Sequence, residues 1–389
     1  MSPDPMAIRD FSPEVPGKDP AAERTPPRER PDEKPERSPL DAWLAARMGL
    51  DGPSPTPKDV ARHQLAALGR TLALVREKSP FYRERLAGLP RDFPRTLADM
   101  ADCPFTTPAD LAADHRPFVC APLSEIAHMV TLSTSGTTGP AKRLGFTAAD
   151  VEATVDFFHH GMATFTRPGD AVLIILPGPR VAELLALALL RLGARGTPGS
   201  LVRPDPGDGD PAAAFVRDMD RVDARVLVAG PWQLETLIQA LPAVRAARGR
   251  LGAVLSSGGP LAPALRDQVQ DRFGCPVFDH YGLTETGFGG GVECAARAGY
   301  HLRDADLFFE IVDPVTGRVL PPGRMGEVVV TTLGRQGMPL VRYRTGDASA
   351  LLDGPCPCGG RTRRLRRVAG RFDQQGRVVV PQKGGTNGS

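Results

Sequence analysis

Hydrophobic and polar positions divide this chain into three regimes. Residues 1–38 mix Pro with Asp, Glu, Lys and Arg and carry no apolar period. That pattern predicts a disordered tail, because such a segment buries too little surface to offset its ordering entropy. The folded part is expected to begin near Leu40-Asp-Ala-Trp-Leu44. Residues 59–78 set Val60, Leu65, Leu68, Leu72, Leu74 and Val75 at helical spacing and predict a helix, stopped by Ser79-Pro80. From Pro168 onward short apolar runs alternate with amphipathic stretches. Residues 171–176, 224–229 and 251–255 read as buried strands, and 276–278 as a short extended piece; residues 181–192, 233–241 and 263–273 read as helices. This alternation predicts an α/β fold with a mostly parallel sheet flanked by helices. After Tyr300 the texture changes. Residues 308–312, 326–331 and 340–343 are joined by turn-rich connectors such as Asp313-Pro-Val-Thr-Gly317, which predicts an antiparallel, barrel-like subdomain.

Composition narrows the class without naming a function. The formal charge of +3 is too small to point to nucleic acid, and the charged share of 24% is ordinary for a globular protein. Six cysteines are scattered, and only Cys356 and Cys358 lie close together, so no secreted disulfide framework is indicated. No apolar run reaches the roughly 18 residues of a membrane span. The N-terminus lacks the apolar core of a signal peptide. The expectation is a cytoplasmic protein without a membrane or nucleic-acid partner, its oligomeric state open.

The strongest chemical signal is Thr131-Leu-Ser-Thr-Ser-Gly-Thr-Thr-Gly-Pro-Ala-Lys142. An apolar run leads into it, as a strand leads into a loop. Gly136 and Gly139 allow close backbone approach to a ligand. The hydroxyls of Thr134, Ser135, Thr137 and Thr138, with exposed N–H groups, suit phosphate oxygens, and Lys142 adds a point charge. The spacing is not that of a Walker loop.

Three further segments sit where strands end. Ser256-Ser-Gly-Gly-Pro260 follows one strand and lets the backbone come close to a flat ligand. Asp279-His-Tyr-Gly-Leu-Thr-Glu285 clusters an aromatic ring, Gly282, a hydroxyl and a carboxylate. There Tyr281 suits stacking, Thr284 a phosphate and Glu285 a Mg²⁺ ion, although a plain helix cap fits the same residues. Tyr343-Arg-Thr-Gly-Asp347 is read as closing a strand, its carboxylate matching a ribose diol or a simple Gly-Asp turn. Cys294, His301, Cys356 and Cys358 have a spacing that fits either a structural zinc set or unrelated residues. The six arginines of residues 361–371 read as a solvated face, with no aromatic interleaving for nucleic acid.

The four motifs occur in the order found in the AMP-forming adenylating superfamily, which the chain resembles from about Trp43 to Arg371. Ser79-Pro-Phe-Tyr-Arg-Glu-Arg85, Pro104-Phe-Thr-Thr107, Met338-Pro-Leu-Val-Arg-Tyr-Arg344 and Cys356-Pro-Cys-Gly359 are similar to the phenylacetate–CoA ligase branch. The resemblance implies that Ser135, Gly136, Thr137, Thr138, Gly139 and Lys142 hold the β and γ phosphates of ATP. It implies that Gly258, Gly259 and Pro260 border adenine, that Tyr281 and Gly282 adjoin it, and that Asp347 binds the ribose. Thr284 would contact the α-phosphate, Glu285 would carry Mg²⁺, and Arg371 would reach the nucleotide. The reaction implied is activation of a small carboxylic acid, aryl or arylacetic, to an acyl-adenylate, with transfer to coenzyme A. Transfer to an amine or carrier protein, or nucleotide binding with weak turnover, remain as alternatives. The aromatic preference is implied by the resemblance; Phe157, Phe158, Phe165 and Trp232 are candidates for the acid pocket. The resemblance also implies a structural zinc at Cys294, His301, Cys356 and Cys358.

The expected organisation is a tail at 1–38, an adenylate-forming domain at 39–370 with 300–370 its barrel-like part, and a hinge remnant with flexible tail at 371–389. Gly370-Arg-Phe-Asp373 matches the family's hinge, and Gln374 to Ser389 follow it. The small C-terminal domain that family members carry after this hinge is therefore expected to be absent or vestigial here. Lys383 is no substitute for that domain's lysine. A truncation, a separate polypeptide supplying the domain in trans, and a chain that works without it all remain open.

Overall fold

The structure, a computed structural model, describes residues 35–132, 142–176, 178–200, 210–373 and 375–380. Helices α1 (Pro39–Arg47), α2 (Pro57–Lys78), α3 (Pro80–Arg85) and α4 (Pro108–Ala113) come first. The polar cap Thr56 opens α2 by a reciprocal capping box with Asp59, and Val60, Leu68, Leu72 and Val75 form its buried face. The antiparallel hairpin β1 (Ile126–Leu132) and β2 (Lys142–Thr147) follows, with Leu132 paired to Lys142. Residues 133–141, which carry most of the expected phosphate loop (Ser135, Gly136, Thr137, Thr138 and Gly139), lie outside the described residues.

The α/β region then runs α5 (Ala148–Met162), β3 (Ala171–Ile175), α6 (Pro179–Arg191), β4 (Arg195–Pro198), α7 (Pro211–Val222) and β5 (Val226–Ala229). It continues through α8 (Pro231–Gln239), α9 (Leu241–Ala247), β6 (Ala253–Ser256), α10 (Pro263–Phe273) and β7 (Val277–Tyr281). Strands β7-β6-β5-β3-β4 are parallel neighbours. Continuous apolar runs arise because both faces are covered. Val172, Ile174, Val226 and Val228 pack toward α5 and α6, whereas Leu173, Ile175 and Leu227 pack toward α7–α10. Among the described residues no helix is long and apolar enough to cross a membrane.

Beyond β7 the same sheet turns antiparallel through β8 (Gly291–Glu293), β9 (Tyr300–Leu302), β14 (Arg364–Leu365) and β13 (Leu351–Leu352). A second, five-stranded antiparallel sheet has the order β10 (Leu307–Val312), β11 (Gly326–Thr332), β12 (Tyr343–Ser349), β15 (Gly370–Phe372) and β16 (Val378–Val379). Residues 300–370 are thus shared between the two sheets.

Two local readings are corrected. The strand expected at 340–343 begins at Tyr343, so the Tyr343–Asp347 motif opens β12 instead of closing a strand. The β11–β12 register slips between Glu327 and Val329, where Gly346 takes φ +79° and lets the chain bulge. The arginine run is a solvated face only in part: Arg361, Arg366 and Arg371 are exposed, but the other three are not. Arg363 pairs with the buried Asp304, Arg367 with the buried Glu293, and Arg364 donates to the carbonyls of Ala298, Asp353, Gly354 and Pro355.

Candidate active site

At the carboxyl end of β7 the chain makes a short turn that carries Thr284 and Glu285, and this turn meets β2 and β12. Lys142, first residue of β2, donates to Glu285 Oε1 at 2.5 Å, and Tyr343, first residue of β12, donates to the same oxygen at 2.8 Å. Lys142 and Tyr343 also lie 3.3 Å apart. Burial pushes the Glu285 carboxyl up, but the Lys142 charge and the two hydrogen bonds outweigh it and hold the group below its ordinary value. Arg335 supports the turn from beneath by donating to the Glu285 carbonyl at 2.7 Å. Neither Tyr343 nor Arg335 stood out in the sequence as a partner of Glu285. The signal for Tyr343 was its place at the head of the Tyr-Arg-Thr-Gly-Asp motif.

A second carboxylate lies four residues along β12. Asp347 Oδ2 accepts from the Tyr281 hydroxyl at 3.0 Å, and Oδ1 is 3.3 Å from Arg371 Nε. Arg371 also donates to the Thr345 carbonyl. Burial dominates at Asp347 and pushes its carboxyl up to about 6, against the opposing pull of Arg371 and Tyr281. The Tyr281 ring stacks on Tyr300 at 5.9 Å, and the Tyr300 hydroxyl donates to Asp279 at 2.7 Å. Gly282 is sterically required: a Cβ there would sit 2.2 Å from the Phe288 carbonyl oxygen. Thr284 is half-buried in the turn. Gly258, Gly259 and Pro260 follow β6 at the same carboxyl end of the sheet, with Gly258 exposed at φ +86°. The structure therefore brings together Lys142, Glu285, Tyr281, Asp347 and Arg371 from segments scattered over the chain.

Cys294, His301, Cys356 and Cys358 also converge. All four are buried, and their ligand atoms lie within 4.8 Å of one another. Cys294 Sγ is 3.6 Å from Cys356 Sγ, and Cys358 Sγ is 3.7 Å from His301 Nε2. Tetrahedral Zn–S bonds of about 2.3 Å set ligand atoms about 3.8 Å apart, so this donor set fits zinc. Gly360 makes the turn possible, since a Cβ there would lie 2.9 Å from the His301 ring. Asp41 of α1 clamps the loop by accepting from the backbone N–H groups of Arg361 and Thr362 at 2.8 and 3.1 Å. Cys103, Cys120 and Cys275 are buried thiols pushed up by burial to about 12, 11 and 12.

The turn after β7, the first residue of β2 and strand β12 together bring a lysine, two carboxylates and two tyrosines to one place, as a nucleotide-dependent ligase requires. A family model described as AMP-binding enzyme matches residues 58–337, and the chain belongs to this family of AMP-forming acid–CoA ligases. Within it the phenylacetate–coenzyme A ligases are its relatives. One from Thermus thermophilus is 33% identical over 319 residues, covering 79% of this chain and 69% of the relative. Another, from Pseudomonas putida, is 30% identical over 346 residues, covering 85% and 74%. A solved 2-hydroxyisobutyryl-CoA ligase, in complex with 2-HIB-AMP and CoA, superposes with a TM-score of 0.72 at 25% identity, covering 82% of this chain and 69% of that one.

Proposed function

We propose that this chain activates an aryl or arylacetic acid with ATP and passes the acyl group to coenzyme A. A carboxylate oxygen of the acid attacks the α-phosphorus, and the bond to pyrophosphate breaks. The thiol of coenzyme A then attacks the acyl carbon, and AMP leaves with the electron pair of the broken C–O bond. No protein nucleophile takes part; positioning and charge neutralisation supply the rate. The observation that carries this reading is the meeting of Lys142, Glu285 and Tyr343 beside Tyr281, Asp347 and Arg371.

In this reading Lys142 and the loop residues Ser135, Gly136, Thr137, Thr138 and Gly139 hold the β and γ phosphates. Thr284 meets the α-phosphate. Tyr281 and Gly282 face the adenine bordered by Gly258, Gly259 and Pro260, and Asp347 with Arg371 takes the ribose. Glu285 is kept ionised, which suits one ligand position on Mg²⁺, a hard cation that keeps water and phosphate oxygens for the rest. The four-residue thiolate and imidazole set would hold a structural zinc, tying the β8–β9 connection to the 356–360 loop. Phe157 and Phe158 border a small apolar cavity, whereas Phe165 packs on Phe278 and is not among the cavity's lining residues.

Pyrophosphate release with ATP, Mg²⁺ and a panel of aryl, arylacetic and aliphatic acids, with and without coenzyme A, tests the proposal. Thioester and AMP formed with an aryl acid support it. ATP binding without pyrophosphate from any acid sinks it.

A further inference from the structure

A polar cavity of about 310 Å³ lies between helix α5, the connection from β9 to β10 and the end of β11. Thr286 forms part of its wall, so the cavity abuts the turn that carries Glu285. Lys142, Tyr281, Glu285, Tyr343 and Asp347 are not among its lining residues, which sets it apart from the nucleotide residues described above. Three arginines line it: Arg47, Arg303 and Arg335. The Arg47 side chain is 42% exposed, whereas Arg303 and Arg335 are buried, at 3% and 9%.

Four carboxylates share the lining, and each is engaged. Asp150 accepts from the backbone N–H groups of Thr147, Gln336 and Gly337 at 2.9, 2.8 and 2.9 Å. Glu152 pairs with Arg191, and Asp156 accepts from the Trp43 indole at 2.7 Å. Asp306 accepts from Arg47 at 2.6 Å and from Arg303 Nε at 2.8 Å. The three guanidiniums thus share one carboxylate, and Arg335 forms no ion pair among the described residues.

The two buried guanidiniums are held by their faces and offer their edges. Arg303 lies over the Phe157 ring at 5.2 Å, and Arg335 over the Phe146 ring at 5.0 Å. Arg303 spends Nε on Asp306, and Arg335 spends Nη1 on the Glu285 carbonyl. Arg303 Nη1 and Nη2, with Arg335 Nε and Nη2, have no acceptor among the described residues and are not sealed from solvent. Two of these nitrogens converge: a Cβ on Gly287 would lie 3.0 Å from Arg335 Nη2 and 3.7 Å from Arg303 Nη1. Burial pushes the Arg335 guanidinium down to about 10; Asp150 opposes this and Arg303 adds to it.

Like charges gathered in a mostly enclosed space repel, and an anion between them removes that cost. One guanidinium fork fills a carboxylate, so a bridge across two forks calls for an anion with more oxygens. A phosphate group has them. We infer that this cavity binds a phosphate-type oxyanion, inorganic phosphate or pyrophosphate, between Arg303 and Arg335, with Arg47 adding charge. The site does not depend on which acid the chain activates.

The test first saturates the full chain with Mg²⁺ and an ATP analogue whose α–β bridge is a methylene, which fills the catalytic phosphate positions without turnover. Equilibrium dialysis with radiolabelled phosphate or pyrophosphate then measures what binds in addition. One equivalent is expected; the tighter of the two anions identifies the source, and either supports the site. Arg303→Gln should weaken that binding about tenfold or more, the worth of hydrogen bonds to a charged group. Arg303→Lys, which keeps the charge and loses the fork, should retain part of it. Arg47→Gln, at a half-exposed position, should weaken it a few-fold. Retained affinity for the analogue reports an intact fold in each variant. No anion bound beyond the analogue overturns the inference, and so does binding unchanged in Arg303→Gln. Should Arg303→Gln fail to fold, unchanged binding in Arg47→Gln overturns it instead. Acetate competing as well as phosphate would assign the pair to a carboxylate and also overturns it. If the analogue itself does not bind, the nucleotide reading falls, while the Arg303→Gln comparison still decides the anion site.

Discussion

The Lys142–Glu285 pair makes a prediction whose size follows from its burial. Their side chains keep 14% and 7% of their exposure, so Lys142→Met strands a carboxylate with little access to water. Removing one partner of a buried pair costs about 3–5 kcal/mol. Tyr343 continues to donate to Glu285, which places the expected loss at the lower end, about 3 kcal/mol at pH 7. The pH dependence gives a sharper signature. In the unaltered chain Glu285 is held below its ordinary value, so its contribution is present above the unfolded value and is lost as pH falls through the folded one. Without the lysine, burial prevails and the carboxyl rises above its unfolded value. The penalty in Lys142→Met should then shrink as acid protonates Glu285. Urea unfolding followed by Trp43 and Trp232 fluorescence at pH 7 and pH 5 measures both effects. The double variant Lys142→Met/Glu285→Gln should recover most of the loss, because neither charge remains. A single variant as stable as the parent at pH 7, a deficit that does not shrink at pH 5, or a double variant no better than the single one would refute this account.

Other consequences can be checked independently. Purified without chelator, the chain should carry one zinc, and Cys358→Ser should lose it at a stability cost above about 4 kcal/mol, read by metal analysis and thermal unfolding. Because Asp347 is held at about 6, fluorescent-AMP binding should weaken as pH falls through that value, and Asp347→Asn should flatten the profile. A Gly282→Ala Cβ would press 2.2 Å from the Phe288 oxygen and 2.8 Å from the His280 ring. The shift this forces should cost about 1–3 kcal/mol of stability and about a hundredfold in turnover, seen by denaturation and pyrophosphate release.

What the sequence disclosed depended on how far each signal reaches along the chain. The runs around Leu173 and Leu227 are long enough and apolar enough on both faces to declare buried strands. The three-residue strands at Gly291–Glu293 and Tyr300–Leu302 carry no readable alternation and were not foreseen. Helix α7 has a local start signal in the N-cap Asp210 before Pro211, but no comparably clear apolar run follows it. The motif residues Lys142, Tyr281, Glu285 and Asp347 were each legible from local composition. That Glu285 sits between Lys142 and Tyr343, separated from it by 143 and 58 residues, is a tertiary fact with no local trace. The same holds for Arg363 and Arg367. Their partners Asp304 and Glu293 lie more than fifty residues away, so a local reading could only send the charges to solvent.

The joint between the two sheets explains why the site holds two carboxylates of opposite character. Glu285 and Asp347 are both buried, and each accepts from a tyrosine. They differ in the cation. Lys142 stands against Glu285 at 2.5 Å with its side chain largely enclosed, whereas Arg371 approaches Asp347 at 3.3 Å with 54% of its side chain exposed. An enclosed ammonium is screened less and holds its carboxyl down; a solvated guanidinium at longer range does not overcome desolvation. Glu285 thus stays ionised to lower pH than an ordinary glutamate, in keeping with the metal–phosphate role proposed for it. Asp347, pushed up to about 6, is ionised at neutral pH and loses part of its acceptor capacity on mild acidification. Here the division arises because the β2 end closes over the β7 turn, while β15 pairs with β12 only at Asp347–Arg371 and Ala348–Gly370 and leaves the Arg371 side chain half in solvent.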